Sequence, residues 1–399
     1  MNIEKLKLSD YSTVAIAGGG LLGRLLAWQL LESGHKVTLY DAGSFVDSPA
    51  AAHTAAGMIS PISEAIDAEP LMYDLGVFGL TQWPLWLQQL SAGLPETSSV
   101  RSVQYEQKGS LIIAHHRDQS LLQQYVQDMH RQLPDSVRGQ LVNKKVMAEL
   151  EPDIAKDFQR GLFLPEEAHI DNRQLLRALL ERIQQLGGEC IADTAVDVEP
   201  YHIHCLAGGQ RVQFDCVIDC RGVGAKPQWQ GVRGIRGEVL RVKTDEVTLQ
   251  RPVRLLHPRY QLYVVPKPQQ EFVIGATQIE SEDRSPVSVQ SALELNSALY
   301  TINPAFAEAR ILEMQANLRP ALNDNRPKIQ SEKGLLKVNG LYRHGYLLAP
   351  VVVQYTLALL MDSVTVDHQF SDVLYSTLDE KESNKKNRVE GNPSAKAIA

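Results

Sequence analysis

The sequence predicts an α/β protein in which a discontinuous Rossmann-like unit opens and closes the chain. Inserted between its parts is an α+β unit built on an antiparallel sheet. Three observations lead there. A strand, a glycine-rich turn, a helix and a second strand run from Ser12 to Asp41. An apolar strand from Phe214 to Cys220, closed by Gly222, reads as a return to that first sheet. From Gly237 to Thr277 the pattern changes to successive strands, GEVLRVK, YQLYVVP and EFVIGAT, separated by Pro- and Gln-rich turns.

The first unit carries the turn Gly18-Gly19-Gly20-Leu21-Leu22-Gly23. Gly18 permits the tight turn, Gly20 lets backbone N–H groups approach a pyrophosphate where Leu21 and Leu22 open the helix, and Gly23 lets helix and strand pack closely. Asp41 ends the second strand, where its carboxylate can accept from the ribose hydroxyls of an adenosine. Strand, helix and acid together make this a dinucleotide site rather than a bare glycine turn.

The composition bounds the rest. A chain of 399 residues, 44% of them hydrophobic, is long enough for two interleaved units with filled cores. It contains no run of about 18 apolar residues, and MNIEKLKLSD lacks the charged-then-apolar pattern of a secretion signal, so the expectation is a cytoplasmic protein without a membrane span. Cys190, Cys205, Cys216 and Cys220 lack CxxC spacing and read as reduced thiols, with no metal site. A net charge of −7 leaves no broad basic footprint for nucleic acid.

Further along, Asp118 to Leu133 and Asp171 to Leu186 read as amphipathic helices, the second capped by Asp171 and stopped by Gly187-Gly188. A helix from Val287 to Ile302 and a strand from Arg310 to Leu318 follow. After them come a short strand at Leu335 to Val338, a turn at Arg343-His344-Gly345 and a helix from Pro350 to about Asp362. The expected division gives residues 1–80, 145–235 and 325–365 to the nucleotide-binding domain and 81–144 and 236–324 to the substrate domain. The charged tail 379–399 is expected to be flexible. Arg319 sits in an apolar strand before a proline, where a guanidinium is costly unless it meets an anion, either a ligand or a neighbour such as Asp324.

Four segments carry a resemblance: the glycine turn with Asp41; Thr54-Ala55-Ala56-Gly57-Met58-Ile59; Tyr263-Val264-Val265-Pro266-Lys267 with Gly275-Ala276-Thr277; and Leu318-Arg319-Pro320, followed by Arg343-His344-Gly345-Tyr346-Leu347-Leu348-Ala349-Pro350. The chain resembles the FAD-dependent amino acid and amine oxidases of the D-amino acid oxidase superfamily, most of all the glycine oxidases associated with thiamine synthesis. The resemblance implies noncovalent FAD as cofactor, with Thr54, Ala55, Ala56, Gly57 and Met58 passing against the flavin ring. It places Gly222 beside the dinucleotide, and Arg343, His344, Gly345, Tyr346 and Leu347 at the pyrimidine edge. Arg319 is implied as the clamp of a substrate carboxylate, with the Tyr263 hydroxyl as second donor and Arg343 in reach of substrate or flavin.

Where the family has a histidine this chain has Gln261, Asn317 replaces a glycine, and Cys220-Arg221-Gly222 replaces a small-Gly turn. His53 lies one position from a histidine that carries flavin covalently in some relatives. The implied activity is oxidation of a small amino acid or amine, with hydride passing from the α-carbon to flavin N5, the imine hydrolysing, and oxygen reoxidising the flavin to give hydrogen peroxide. A flavoprotein acting on an amine of a modified tRNA or partner protein, or one that only binds, are the alternatives. Homo-oligomer formation is left open.

Overall fold

The computed structural model describes residues 12–98, 101–134, 137, 139–259, 261–360 and 374–377. Two large sheets organise them. In the first, seven strands lie in the order Tyr375–Thr377, Lys328–Glu332, Leu335–Asn339, Cys216–Asp219, Thr13–Ala17, Lys36–Tyr40 and Glu189–Ile191. Thr13–Ala17 pairs in parallel with Cys216–Asp219 on one side and Lys36–Tyr40 on the other. Val14, Ala15, Ile16 and Ala17 are wholly buried, as expected of a strand covered on both faces. The helix Leu21–Glu32 is buried on every side except its last residue, because the helices Asn172–Gln185 and Gly345–Leu360 both pack on it.

The second sheet has eight strands in the order Arg310–Ala321, Arg233–Lys243, Glu271–Gly275, Gln261–Lys267, Val253–Leu256, Ser110–Ala114, Arg160–Leu164 and Gln140–Asn143. It differs from expectation in two respects. Val253–Leu256 runs parallel to Ser110–Ala114, so the sheet is mixed rather than antiparallel throughout. Arg160–Leu164, within a segment assigned to the first unit, pairs here with Ser110–Ala114, because its apolar residues fill this sheet's core.

The expected helices are present at Gln119–Gln132, Asn172–Gln185 and Val289–Ile302. Asp171 caps the second of these, accepting from the Gln174 amide at 2.7 Å. The last helix starts five residues earlier than expected, at Gly345, and takes Pro350 inside it. Proline removes the amide that would bond the Tyr346 carbonyl; the Trp83 indole N–H donates to that oxygen instead, at 2.8 Å. A helix the sequence reading passed over, Leu71–Gly93, supplies Trp83 and packs along Gly345–Leu360. Its Gly76 and Gly79 allow the approach: Cβ atoms there would stand 2.7 Å from Leu347 Cδ1 and 2.3 Å from the Leu347 carbonyl oxygen. The helix end near Asp362, the tail 379–399 and the Gln261 side chain lie outside the described residues.

Candidate active site

The glycine turn is built as the spacing requires. Gly18 has φ +104° and lies so close beneath Cys220 that a Cβ would sit 2.5 Å from its carbonyl oxygen. A Cβ on Gly23 would sit 1.9 Å from the Gly18 carbonyl oxygen, so this glycine joins helix to turn. At Gly20 the nearest atom would be Ala50 Cβ at 3.5 Å, and no side chain caps the helix that begins there. The first amides of the helix therefore face open space, the arrangement an anion needs. Beneath them, the buried Arg24 guanidinium donates to the carbonyls of Gly19, Phe45 and Leu176 at 2.6–2.7 Å. Asp41 takes a part the sequence did not suggest: its carboxylate accepts from the amides of Gly19 at 2.6 Å and Gly43 at 2.8 Å, bracing the turn from inside.

From this turn a single cavity of about 1360 Å³ runs between the two sheets. Its lining brings together Gly18, Gly20, Leu21, Leu22, Asp41, Thr54 to Met58, Gly222, Tyr263, Arg319 and Arg343 to Leu347. Gly23 is outside the lining, and so is His53, although Ala52 and Thr54 belong to it. Burial, with Arg173 second, pushes the His53 imidazole down to about 4, so it is neutral. The loop at Ala56-Gly57 is pinned from behind. Lys267 Nζ donates to the carbonyls of Ala56 at 2.7 Å and Ile170 at 2.8 Å, and a Cβ on Gly57, at φ +73°, would stand 2.2 Å from the Ile170 carbonyl oxygen. Asn317 Nδ2 holds the other end, donating to Thr54 Oγ1 and the Pro49 carbonyl at 3.0 Å. Across the cavity, Gly345 opens the last helix with nothing within 4 Å of where its Cβ would be.

Charged groups gather at the far end. Arg319 Nη1 and Nη2 each donate to the Thr277 carbonyl at 3.1 Å, and Nη1 lies 3.4 Å from the Arg236 carbonyl. Among the described residues no carboxylate pairs with Arg319; Asp324 takes Lys328 Nζ at 2.7 Å instead. The guanidinium lies flat over Gly237, where a Cβ would come within 2.4 Å of Cζ. Tyr263 is beside it: burial pushes the phenol up, Arg319 and Arg254 pull it back, and it stays neutral.

Arg343 is more committed than expected, with Nε 2.9 Å from Glu64 Oε2. Glu64 also meets His344 Nδ1 at 3.0 Å and Arg254 Nη2 at 3.1 Å, and Arg254 reaches Asp67 at 3.4 Å. Burial alone would push the Glu64 carboxyl up, but Arg343, His344 and Arg254 hold it well below its ordinary range. Glu64 and Arg254 escaped the sequence reading. Arg254 gives the same signal as Arg319, an arginine inside an apolar strand, whereas Glu64 gives none.

Arg221 turns to Asp219, at 2.9 Å, which accommodates it in place of a small residue. Among the described residues no group of three His, Cys, Asp or Glu could hold a metal, and no helix is long and apolar enough to cross a membrane.

These residues fit a flavin dinucleotide: an uncapped, glycine-lined helix start for phosphates, small residues along the middle, and a second helix N-terminus whose partial positive charge suits a flavin's pyrimidine edge. The fold and site are those of a flavin-dependent oxidoreductase. The chain belongs to the DAO family of FAD dependent oxidoreductases, whose profile matches residues 13–359. A putative thiamine biosynthesis oxidoreductase ThiO of Rhizobium etli is 37% identical over 85% of this chain and 93% of its own length. The glycine oxidase of Bacillus subtilis is 25% identical over 93% of this chain and 98% of its own. The crystal structure of glycine oxidase from Bacillus cereus ATCC 14579 shares the fold, with TM-score 0.74 at 24% identity over 89% of this chain and 98% of that one.

Proposed function

We propose that the protein oxidises a small amino acid or amine, of the glycine, sarcosine or D-amino acid type, using noncovalently bound FAD. The observation that carries this reading is Arg319, a cavity-lining guanidinium without a carboxylate partner among the described residues. Arg254 and Arg343, at the same end, are by contrast balanced by Glu64 and Asp67. The uncompensated charge of Arg319 suits a substrate carboxylate, received with the neutral Tyr263 hydroxyl as second donor.

Gly18, Gly20, Leu21 and Leu22 would hold the pyrophosphate, Asp41 the ribose, Thr54 to Met58 and Gly222 the body of the dinucleotide, and the amides of Gly345 to Leu347 the pyrimidine edge. The position of His53 outside the lining supports noncovalent attachment. Bound there, FAD would supply the acceptor for a hydride from the substrate α-carbon and, with oxygen as final oxidant, the route to hydrogen peroxide. The protein's part is orientation. Arg319 and Tyr263 fix the carboxylate, and the Glu64 cluster fixes Arg343 and His344. Glu64, held ionised by its cations, balances them and leaves Arg319 to meet the carboxylate. Water then hydrolyses the imine. A cytoplasmic setting is part of this reading.

The test is anaerobic mixing of the yellow protein with glycine, sarcosine or D-amino acids. The expected result is bleaching that oxygen reverses with stoichiometric peroxide. In Arg319→Ala, kcat/KM should fall by roughly two powers of ten with flavin retained, since losing a charge-assisted pair costs on the order of 3 kcal/mol. Bleaching only by a modified RNA or a partner protein, or by no amine at all, would overturn the reading.

A further inference from the structure

Arg319 is held by two main-chain carbonyls, and both belong to a network on the reverse face of its neighbouring strand. In Arg233–Lys243, Gly237 faces the cavity beneath the Arg319 guanidinium, so Arg236 and Glu238 point to the opposite face by strand alternation. Both are buried, 4% and 0% exposed, and neither lines the cavity. Every donor of Arg236 is used. Nε and Nη2 donate to Glu238 Oε1 at 3.0 and 2.7 Å, Nη1 to the carbonyls of Asp283 and Ser285 at 2.8 Å, and Nη2 to the Pro286 carbonyl at 2.8 Å.

Glu238 Oε2 accepts from Thr277 Oγ1 at 3.0 Å, and the Glu238 amide donates to the same hydroxyl at 2.9 Å. Burial pushes the Glu238 carboxyl up, but the Ser291 hydroxyl, at the start of the helix Val289–Ile302, together with Arg236 and Thr277, holds it below its ordinary range. The chain between these anchors, 278–288, has no helix, and Glu282 to Pro286 are exposed. Thr277, Gln278, Ile279, Arg284 and Ser288 nevertheless line the cavity.

The geometry points to Arg236 and Glu238 as a positioning pair: together they fasten the segment 277–291 as a roof over the carboxylate end of the cavity and hold the Thr277 carbonyl against Arg319. This rests on the proposed role of Arg319. Lysine at 236 has one point charge and cannot span three carbonyls and a carboxylate. Glu238→Gln leaves the buried guanidinium without its counter-charge.

The experiment compares flavin-loaded wild type, Arg236→Lys, Glu238→Gln and the milder Ser291→Ala, reading tryptic cleavage after Arg284, KM against kcat for the best amino acid, and the flavin spectrum. Arg236→Lys and Glu238→Gln should each raise cleavage at Arg284 and KM by about tenfold while kcat stays within about threefold and the spectrum is unchanged. Ser291→Ala should move the first two in the same direction by about threefold, and decides the matter if the other variants do not fold. Wild-type cleavage and KM in the folded variants, or a lowered melting temperature with KM unchanged, would overturn the proposal. Arg319→Ala is run in parallel. If it leaves KM unchanged while Arg236→Lys still exposes Arg284, the carboxylate reading has failed and the roof has not.

Discussion

Lys267 keeps its ammonium inside the second sheet, 5% exposed, with two carbonyls as acceptors. Burial is the main cause that pushes its pKa down to about 7; Asp171 opposes this, and Arg241 and Arg173 add to it. An unfolded lysine titrates near 10.5. Between about pH 7 and 10.5 the unfolded chain therefore holds a proton the folded one lacks, and stability rises with pH across that window. Urea unfolding of wild type and Lys267→Met at about pH 7.5 and 9.5 should show the difference in stability growing in favour of wild type at the higher pH. A pH-independent difference would contradict the assignment. The sequence displayed Lys267 only as the last residue of a strand. Arg319 drew notice because a guanidinium set between Leu318 and Pro320 is conspicuous at one position. The meeting of Glu64, Arg254 and His344 did not, since these residues are brought together by three separate elements and share no spacing.

At the scale of the element, the glycine turn is the part most exposed to a single atom. Gly23→Ala places a methyl 1.9 Å from the Gly18 carbonyl oxygen, so the helix must move off the strand. The expected costs are about 1–3 kcal/mol of stability and, because the amides at Leu21 and Leu22 move with the helix, at least about tenfold in FAD affinity. Thermal unfolding and fluorescence titration of the apoprotein check both, and wild-type affinity in the variant would show that the turn tolerates the shift. This element was readable because each glycine answers a local backbone demand. Leu71–Gly93 was not: Gly76, Gly79 and Pro84 look like breakers, and it is packing partners distant in sequence, chiefly Leu347 of the last helix, that explain the glycines. The last helix was begun too late for a related reason, since the donor that replaces the lost amide of Pro350 comes from Trp83, far away in sequence.

For the molecule as a whole, the cavity draws its walls from both sheets, so a dinucleotide filling it contacts the folded chain and has little to bind in the unfolded one. At a free FAD concentration of about 100 times Kd, the linked stabilisation is about 2.7 kcal/mol, and the melting temperature should keep rising with each further decade of FAD. A melting temperature indifferent to saturating FAD would mean that the cavity is not its site. The order of strands in the first sheet has another consequence, one that lies in time. Cys216–Asp219 is flanked by Thr13–Ala17, made early, and by Leu335–Asn339, made late. During synthesis the apolar strand Cys216–Asp219 therefore waits with one edge open while five of the second sheet's eight strands, from Arg233–Lys243 to Arg310–Ala321, emerge. Nascent chains stalled before Leu335 should be the ones that chaperones hold and proteases cut, and release should come only once Leu335–Asn339 has cleared the ribosome and closed that edge.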